Sequence, residues 1–172
     1  KLHEAQETIQ QLAFYDPLTK LANRRLLMDR LTHAVTSSER HHENVAVFLC
    51  DLDNFKHIND SLGHDYGDLL LKYVANIMQK EVHTEDTVAR LGGDEFVLVI
   101  TSFQNESTVA EIANNILSNL ESPIQLKDKQ IVITASIGIA LYPHDGSTTQ
   151  SLMRAADLAM FHAKEEGKNR FQ

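Results

Sequence analysis

The stretch TVARLGGDEFVLVI, Thr87–Ile100, decides how this chain is read. Its flanks are runs of β-branched and apolar residues, and its middle holds two glycines followed by two acids. The pattern predicts strand, tight turn, strand, which is a hairpin. A turn alone would be satisfied by one glycine beside Asn or Asp. Gly92 and Gly93 together remove two Cβ atoms, which frees the backbone for φ > 0 and leaves room for a ligand. Asp94 and Glu95 then put adjacent carboxylates where the second strand begins. Hydration accounts for one acid at a turn; two side by side point to charge chemistry.

Working outward, ENVAVFLCDLDNF (Glu43–Phe55) predicts another strand ending in acids. Asp51 and Asp53 are alternate residues, so they share a face. If the hairpin packs beside this strand, Asp51 and Asp94 share a cation. Oxygen-only ligands suit Mg²⁺ or Mn²⁺ rather than zinc. Asn54, Phe55 and Lys56 follow as the strand opens into a turn, a natural nest of N–H groups for phosphate. After the polar NDSLGHDYGD (Asn59–Asp68), a helix carries Leu70, Val74, Ile77 and Met78 on one face. Val109, Ile112, Ala113, Ile116, Leu117 and Leu120 repeat with helical periodicity. QIVITASIGIALYP (Gln130–Pro143) predicts a long strand stretch whose candidate break is Gly138. Ser147 and Gln150 are expected to form a capping box opening the last helix, which Gly167 ends. Lys164 and Lys168, four apart, are expected to stack on one face at its end. Taken alone, that placement favours the helix-dipole reading over a phosphate contact.

At the N-terminus Leu2, Ala5, Ile9 and Leu12 form a short heptad seam. Two readings stand: the tail of a coiled-coil linker over residues 1–14, or an amphipathic helix lying on its own domain. Pro17 is expected to stop this helix, and a second runs from about Asn23 to Ser38 with Leu26, Leu27, Leu31 and Val35 inward. The element order predicts an α+β sandwich: a central, mostly antiparallel sheet with a β-α-β-β-α-β core, flanked by helices.

Bulk properties narrow the function. The 172 residues suit one domain, 42% hydrophobic and 23% charged. A net charge of −8 disfavours nucleic acid as partner. Cys50 has no second cysteine to pair with and reads as core packing in a reducing compartment. No run reaches the length of a membrane span, and the first residues are no secretory signal. The expectation is a cytoplasmic segment without membrane contact of its own, any anchor lying upstream. There is no GxxxxGK[ST] or GxGxxG loop, no HExxH or CxxC spacing among nine histidines, and no GxSxG elbow.

Together the motifs resemble those of the GGDEF domains, the bacterial diguanylate cyclases. GGDEF itself stands at Gly92–Phe96. YDPLTKLANRR (Tyr15–Arg25), DLDNFKHINDSLGHDYGDLLL (Asp51–Leu71), ASIGIALYP (Ala135–Pro143) and ADLAMFHAKEEGKNR (Ala156–Arg170) extend the likeness over residues 15–172 in matching order. The resemblance implies a ferredoxin-like palm core and condensation of two GTP into cyclic di-GMP with release of two pyrophosphates. It further implies two Mg²⁺ or Mn²⁺ per site, held by Asp51, Asp94 and the Leu52 carbonyl. Asn59 and Asp68 match the guanine-reading pair, with His64 between them on the substrate side. The amides of Asn54, Phe55 and Lys56 match phosphate contacts, as do the side chains of Lys56, Lys164 and Lys168. Glu95 matches the acceptor of the 3′-hydroxyl proton, and Arg90 is expected to support the Gly92–Gly93 hairpin. A two-fold product from one-site domains implies a homodimer meeting face to face. The family's product-inhibition motif RxxD reads HTED here, so Asp86 is kept and His83 replaces arginine. A neutral imidazole lacks the bidentate grip of a guanidinium, which implies a degenerate inhibitory site. The alternative is a catalytically silent GTP-binding domain that regulates an attached cyclic di-GMP phosphodiesterase of the EAL type.

Overall fold

Strand β1 (Val45–Asp53) is the axis of the molecule, and every residue in it except Asp51 is buried. It pairs antiparallel with β3 (Glu95–Thr101) on one side and β6 (Thr134–Tyr142) on the other. β2 (Thr87–Gly92) completes the hairpin with β3, and β7 (Arg170–Phe171) adds parallel to β6. The computed structural model describes all 172 residues, and its main sheet has the order β2-β3-β1-β6-β7. This is the expected mostly antiparallel sheet with a β-α-β-β-α-β core.

The uninterrupted apolar run of β1 follows from its having helices on both faces. Ala46, Phe48, Cys50 and Leu52 enter the larger core, 26 buried residues shared with α4 (His64–Lys80) and α5 (Glu106–Glu121). Val45, Val47 and Leu49 enter the smaller one, 15 residues under α2 (Arg24–His41) and α6 (Thr149–Glu165). Asp51 and Asp53 continue the second set, so their side chains leave the sheet on the α6 side.

Several local readings change. The polar stretch after β1 is helical: α3 (Phe55–Leu62) ends at Gly63, φ 94°, and α4 begins at once. Phe55, Ile58 and Leu62 pack inward and stabilise α3 despite its polar composition. The long strand breaks at Val132 and Ile133, not at Gly138, and its start belongs to a separate hairpin of β4 (Ile124–Leu126) and β5 (Lys129–Ile131). Gly138 is paired with Leu49 in mid-strand. An ideal Cβ there would lie 2.0 Å from the Ala156 carbonyl oxygen and 2.2 Å from the Met160 nitrogen, so the missing side chain seats α6 against the sheet. The capping box is formed by Thr148 and Ser151, one residue beyond the expected pair. Because α6 ends at Glu165, Lys168 lies past it, at φ 64°, and does not share a helical face with Lys164.

The first helix, α1 (Leu2–Phe14), has no buried residue. Its seam residues Leu2, Ile9 and Leu12 are 84%, 66% and 63% exposed, so the seam does not lie on this domain. The helix ends before the Asp16–Pro17 bond, where residues preceding proline favour extended backbone; Tyr15 is already extended. No helix is long and apolar enough to cross a membrane.

Candidate active site

The antiparallel register sets Asp51 directly opposite Glu95. The turn before Glu95 folds over the end of β1, where the Leu52 amide donates to the Asp94 carbonyl at 3.3 Å. Gly92 and Gly93 have φ of 142° and 51°, and a Cβ on either would meet no atom within 4 Å. Backbone conformation, rather than crowding, is therefore what calls for glycine here. Arg90 holds the turn: its Nε and Nη2 donate to the Gly93 carbonyl at 3.0 and 2.9 Å. Its Nη1 donates to both oxygens of Asp16 at 3.1 and 3.2 Å. The Asp16 carboxylate also accepts from the Thr19 amide and hydroxyl, each at 2.8 Å. Burial works to raise its pKa, but Thr19 and the Arg90 guanidinium outweigh it and hold the carboxyl below the usual range.

Two carboxylates crowd the end of the sheet. Burial, then the adjacent carboxylate of Asp51, push the Asp94 carboxyl up to about 6. One Asp51 oxygen, Oδ2, accepts from Lys164 Nζ at 2.7 Å. The other, Oδ1, is buried with no hydrogen-bond partner. Burial works against the Lys164 ammonium, yet the bond to Asp51 and the charges of Asp51, Asp53 and Asp94 raise its pKa. Asp53 is different: its carboxylate accepts from Thr134 Oγ1 and Ser136 Oγ, both at 2.7 Å, and from the Asn169 amide at 3.1 Å. Buried and satisfied, it ties the turn after α6 to β1 and β6. Cys50 faces the core, and burial followed by the nearby aspartates pushes its thiol far up, so it is no nucleophile.

The donor set fits a hard divalent cation. Asp51 and Asp94 share one ammonium, that of Lys164, and the unpaired buried oxygen between them leaves a seat for further positive charge. No third His, Cys, Asp or Glu joins the pair, so further ligands must be backbone carbonyls, water or substrate oxygens. Mg²⁺ is commonly held in that way, by one or two carboxylates plus phosphate.

Beside this pair, Asn54 adopts a left-handed conformation, φ 60°, and launches α3. As the first helical residues, Phe55 and Lys56 have amides with no carbonyl one turn earlier to bond. Lys168 reaches the same corner, its Nζ 3.3 Å from Asn54 Oδ1. The positive φ of Lys168 and Asn169 and the Asp53 anchor bring it there from beyond α6. Gly67 admits Asn59 to the start of α4: an ideal Cβ would lie 1.8 Å from Asn59 Oδ1, which is itself buried and unpaired. His64 and Asp68 are exposed on the same helix. The α3–α4 pair thus collects Asn59, His64 and Asp68, while β1, the hairpin and the α6 end collect Asp51, Asp94, Glu95 and the lysines.

Asp86 is engaged internally. One carboxylate oxygen accepts from the His83 amide at 2.9 Å, and the other from the Thr101 amide at 3.0 Å and hydroxyl at 3.4 Å. Sequence reasoning missed Asp16, Asp53's anchoring role, Gly67 and Gly138. The Asp-x-x-Thr spacing of Asp16 and Thr19, which marks a side-chain-capped turn, was a signal for the first. Asp53 and Gly138 depend on partners distant in sequence, and Gly67 on the close packing of α3 against α4.

A family model described as "Diguanylate cyclase, GGDEF domain" matches residues 13–170. The bifunctional diguanylate cyclase/cyclic di-GMP phosphodiesterase MucR of Pseudomonas aeruginosa is 47% identical over 168 residues, 98% of this chain but only 24% of its own length. Among solved structures, an N-terminally truncated TpbB (YfiN) from P. aeruginosa comprising only the GGDEF domain superposes with a TM-score of 0.88. It is 38% identical, over 90% of this chain and 91% of that one. The coiled coil and GGDEF domain of DgcB from Caulobacter crescentus, in complex with c-di-GMP, also gives 0.88 at 30% identity, over 98% of this chain and 90% of that one. With the family model matched over residues 13–170 and a GGDEF domain 38% identical over nine-tenths of both chains, the chain belongs to the GGDEF family.

Proposed function

We propose that this domain is a diguanylate cyclase that condenses two GTP molecules into cyclic di-GMP across a dimer of two such domains. The observation that carries the reading is the unpaired buried oxygen of Asp51 beside Asp94, on a turn held by Arg90. Each 3′-hydroxyl oxygen bonds to the α-phosphorus of the other GTP while the bond from that phosphorus to the bridging oxygen breaks and pyrophosphate leaves. Glu95, opposite Asp51 in the ladder, accepts the hydroxyl proton. Asp51, Asp94 and the Leu52 carbonyl hold Mg²⁺ or Mn²⁺, which when bound neutralises triphosphate charge and orients the α-phosphate. The Asn54–Lys56 amides, Lys56, Lys164 and Lys168 bind phosphate, and Asn59, Asp68 and His64 bind the guanine side. One domain presents one such site, so its partner brings the second GTP in an isologous encounter. The exposed seam of α1 is suited to bring two copies together.

The test is incubation of the chain with GTP and Mg²⁺ or Mn²⁺, with products identified by mass. Cyclic di-GMP supports the reading; linear pppGpG or unchanged GTP at high protein concentration overturns it. The second reading, a silent GTP-binding regulator of an attached phosphodiesterase, is favoured by the bifunctional relative of which this chain spans about a quarter. It predicts metal-dependent GTP binding without turnover.

A further inference from the structure

The ammonium of Lys164 holds one oxygen of the carboxylate proposed to bind a divalent cation. Its Nζ is 2.7 Å from Asp51 Oδ2, and the two side chains are only 32% and 13% exposed, so the contact is partly shielded from solvent screening. One oxygen of Asp51 is thus committed to a lysine while the other, buried, is committed to nothing. The corner where phosphate would sit is adjacent, and Lys168 already points there through Asn54. Lys164 belongs to the last turn of α6, whose backbone rests on Gly138, so the helix fixes where the flexible stem starts but not where its tip ends.

We propose that Lys164 is an exchangeable stand-in for the metal. In the free domain its ammonium neutralises Asp51; an arriving divalent ion displaces it, and the released ammonium then binds the phosphates of the nucleotide. This inference rests on the cyclase reading of the carboxylate pair and adds an order of events to it. An ammonium and a divalent ion repel each other at adjacent positions on one carboxylate, so metal alone must compete with Lys164. A triphosphate gives the displaced ammonium a new partner, so metal and nucleotide favour each other's binding, and by linkage the effect is reciprocal. Free metal is held weakly, and the site fills when both arrive.

The exchange predicts opposite signs for two ligands. Binding of Mn²⁺ alone is followed by electron paramagnetic resonance on the intact chain. Lys164→Met is expected to bind Mn²⁺ about tenfold more tightly than wild type, a typical coupling magnitude. The same variant is expected to bind the Mn²⁺ complex of α,β-methylene-GTP, measured by calorimetry, more weakly than wild type. Lys168→Met removes an equal charge that does not touch Asp51, and is expected to tighten Mn²⁺ binding far less than Lys164→Met does. Lys164→Arg, which keeps the charge, retains the weak Mn²⁺ binding. Equal Mn²⁺ affinities for Lys164→Met and wild type would overturn the proposal, as would equal tightening by Lys168→Met. Neither readout needs turnover. If the exchange is seen but wild type makes no cyclic di-GMP, only the catalytic reading falls; if product forms while Mn²⁺ affinities stay flat, only the exchange falls.

Discussion

Substituting alanine for Gly138 tests whether the seat of α6 on the sheet sets the position of Lys164. In an ordinary strand this change stabilises, by about 0.4–1 kcal/mol, because the unfolded chain loses freedom. Here the added methyl would lie 2.0 Å from the Ala156 carbonyl oxygen and 2.2 Å from the Met160 nitrogen. Both are backbone atoms of a helix that buries Leu152, Ala156, Met160 and Ala163, so no flexible side chain can yield. Restoring an ordinary contact of 3.4 Å from 2.0 Å means separating α6 and the sheet by roughly 1.4 Å, and overpacking of this kind costs about 1–3 kcal/mol. The clash outweighs the entropic gain, leaving a net loss of roughly 1–2 kcal/mol. For a domain of this size that lowers Tm by about 2–8 °C. Activity should fall further, because a 1 Å misplacement near reacting groups costs about 10²-fold in rate. Thermal melts followed by circular dichroism, alongside initial rates of cyclic di-GMP synthesis, measure both. A Tm equal to or above wild type would refute the claim that α6 is seated on this glycine.

Asp94→Asn should abolish synthesis and weaken Mn²⁺ binding, yet raise the Tm of the metal-free domain at pH 7. The folded carboxyl titrates near 6, above the ordinary 3.8, so its ionisation destabilises the fold as pH rises through 6; the Tm gap between variant and wild type should close as pH falls to 4. A gap that widens on acidification would contradict this. Asp16→Ala should lose about 2 kcal/mol of charge-assisted hydrogen bonding and reduce turnover by loosening the Gly93 turn through Arg90. Because the folded Asp16 carboxyl lies below the ordinary 3.8, wild type should keep this stabilisation above that pH and lose it in stronger acid; unchanged acid denaturation in the variant would count against it. His83→Arg should tighten cyclic di-GMP binding about tenfold by calorimetry, the scale of one bidentate charged contact, and an unchanged affinity would show that arginine alone does not restore the site. Trimming residues 1–12, all of them exposed, should leave Tm nearly unchanged while lowering specific activity; activity equal to that of a forced dimer would remove the proposed role of α1.

The sheet was legible in the sequence because its central strand and hairpin are long apolar runs bounded by acids and glycines. α3 was not, because Phe55, Ile58 and Leu62 are its only apolar residues and Gly63 interrupts the period before α4 begins. β4 and β5, three residues each, are too short for alternation to register. The carboxylate pair could be anticipated from the chain order of Asp51 and Asp94, but the division of labour inside Asp51–Leu52–Asp53 could not. Asp53 differs from Asp51 only through Thr134, Ser136 and Asn169, which the fold brings from the far end of the chain. The bond of Arg90 to Asp16 spans 74 positions and has no local trace. Gly138 reads as a strand breaker until the helix lying on it is known.

Asp51 is laddered on both sides, to Glu95 on β3 and Ser136 on β6. A carboxylate on a free loop would swing away from a like charge and let water settle the conflict. This one projects from a backbone paired on both sides, so the main chain cannot carry it away from Asp94. The scaffold thereby turns electrostatic frustration into appetite: the single ammonium of Lys164 answers two carboxylates, and the charge left over awaits a cation from outside.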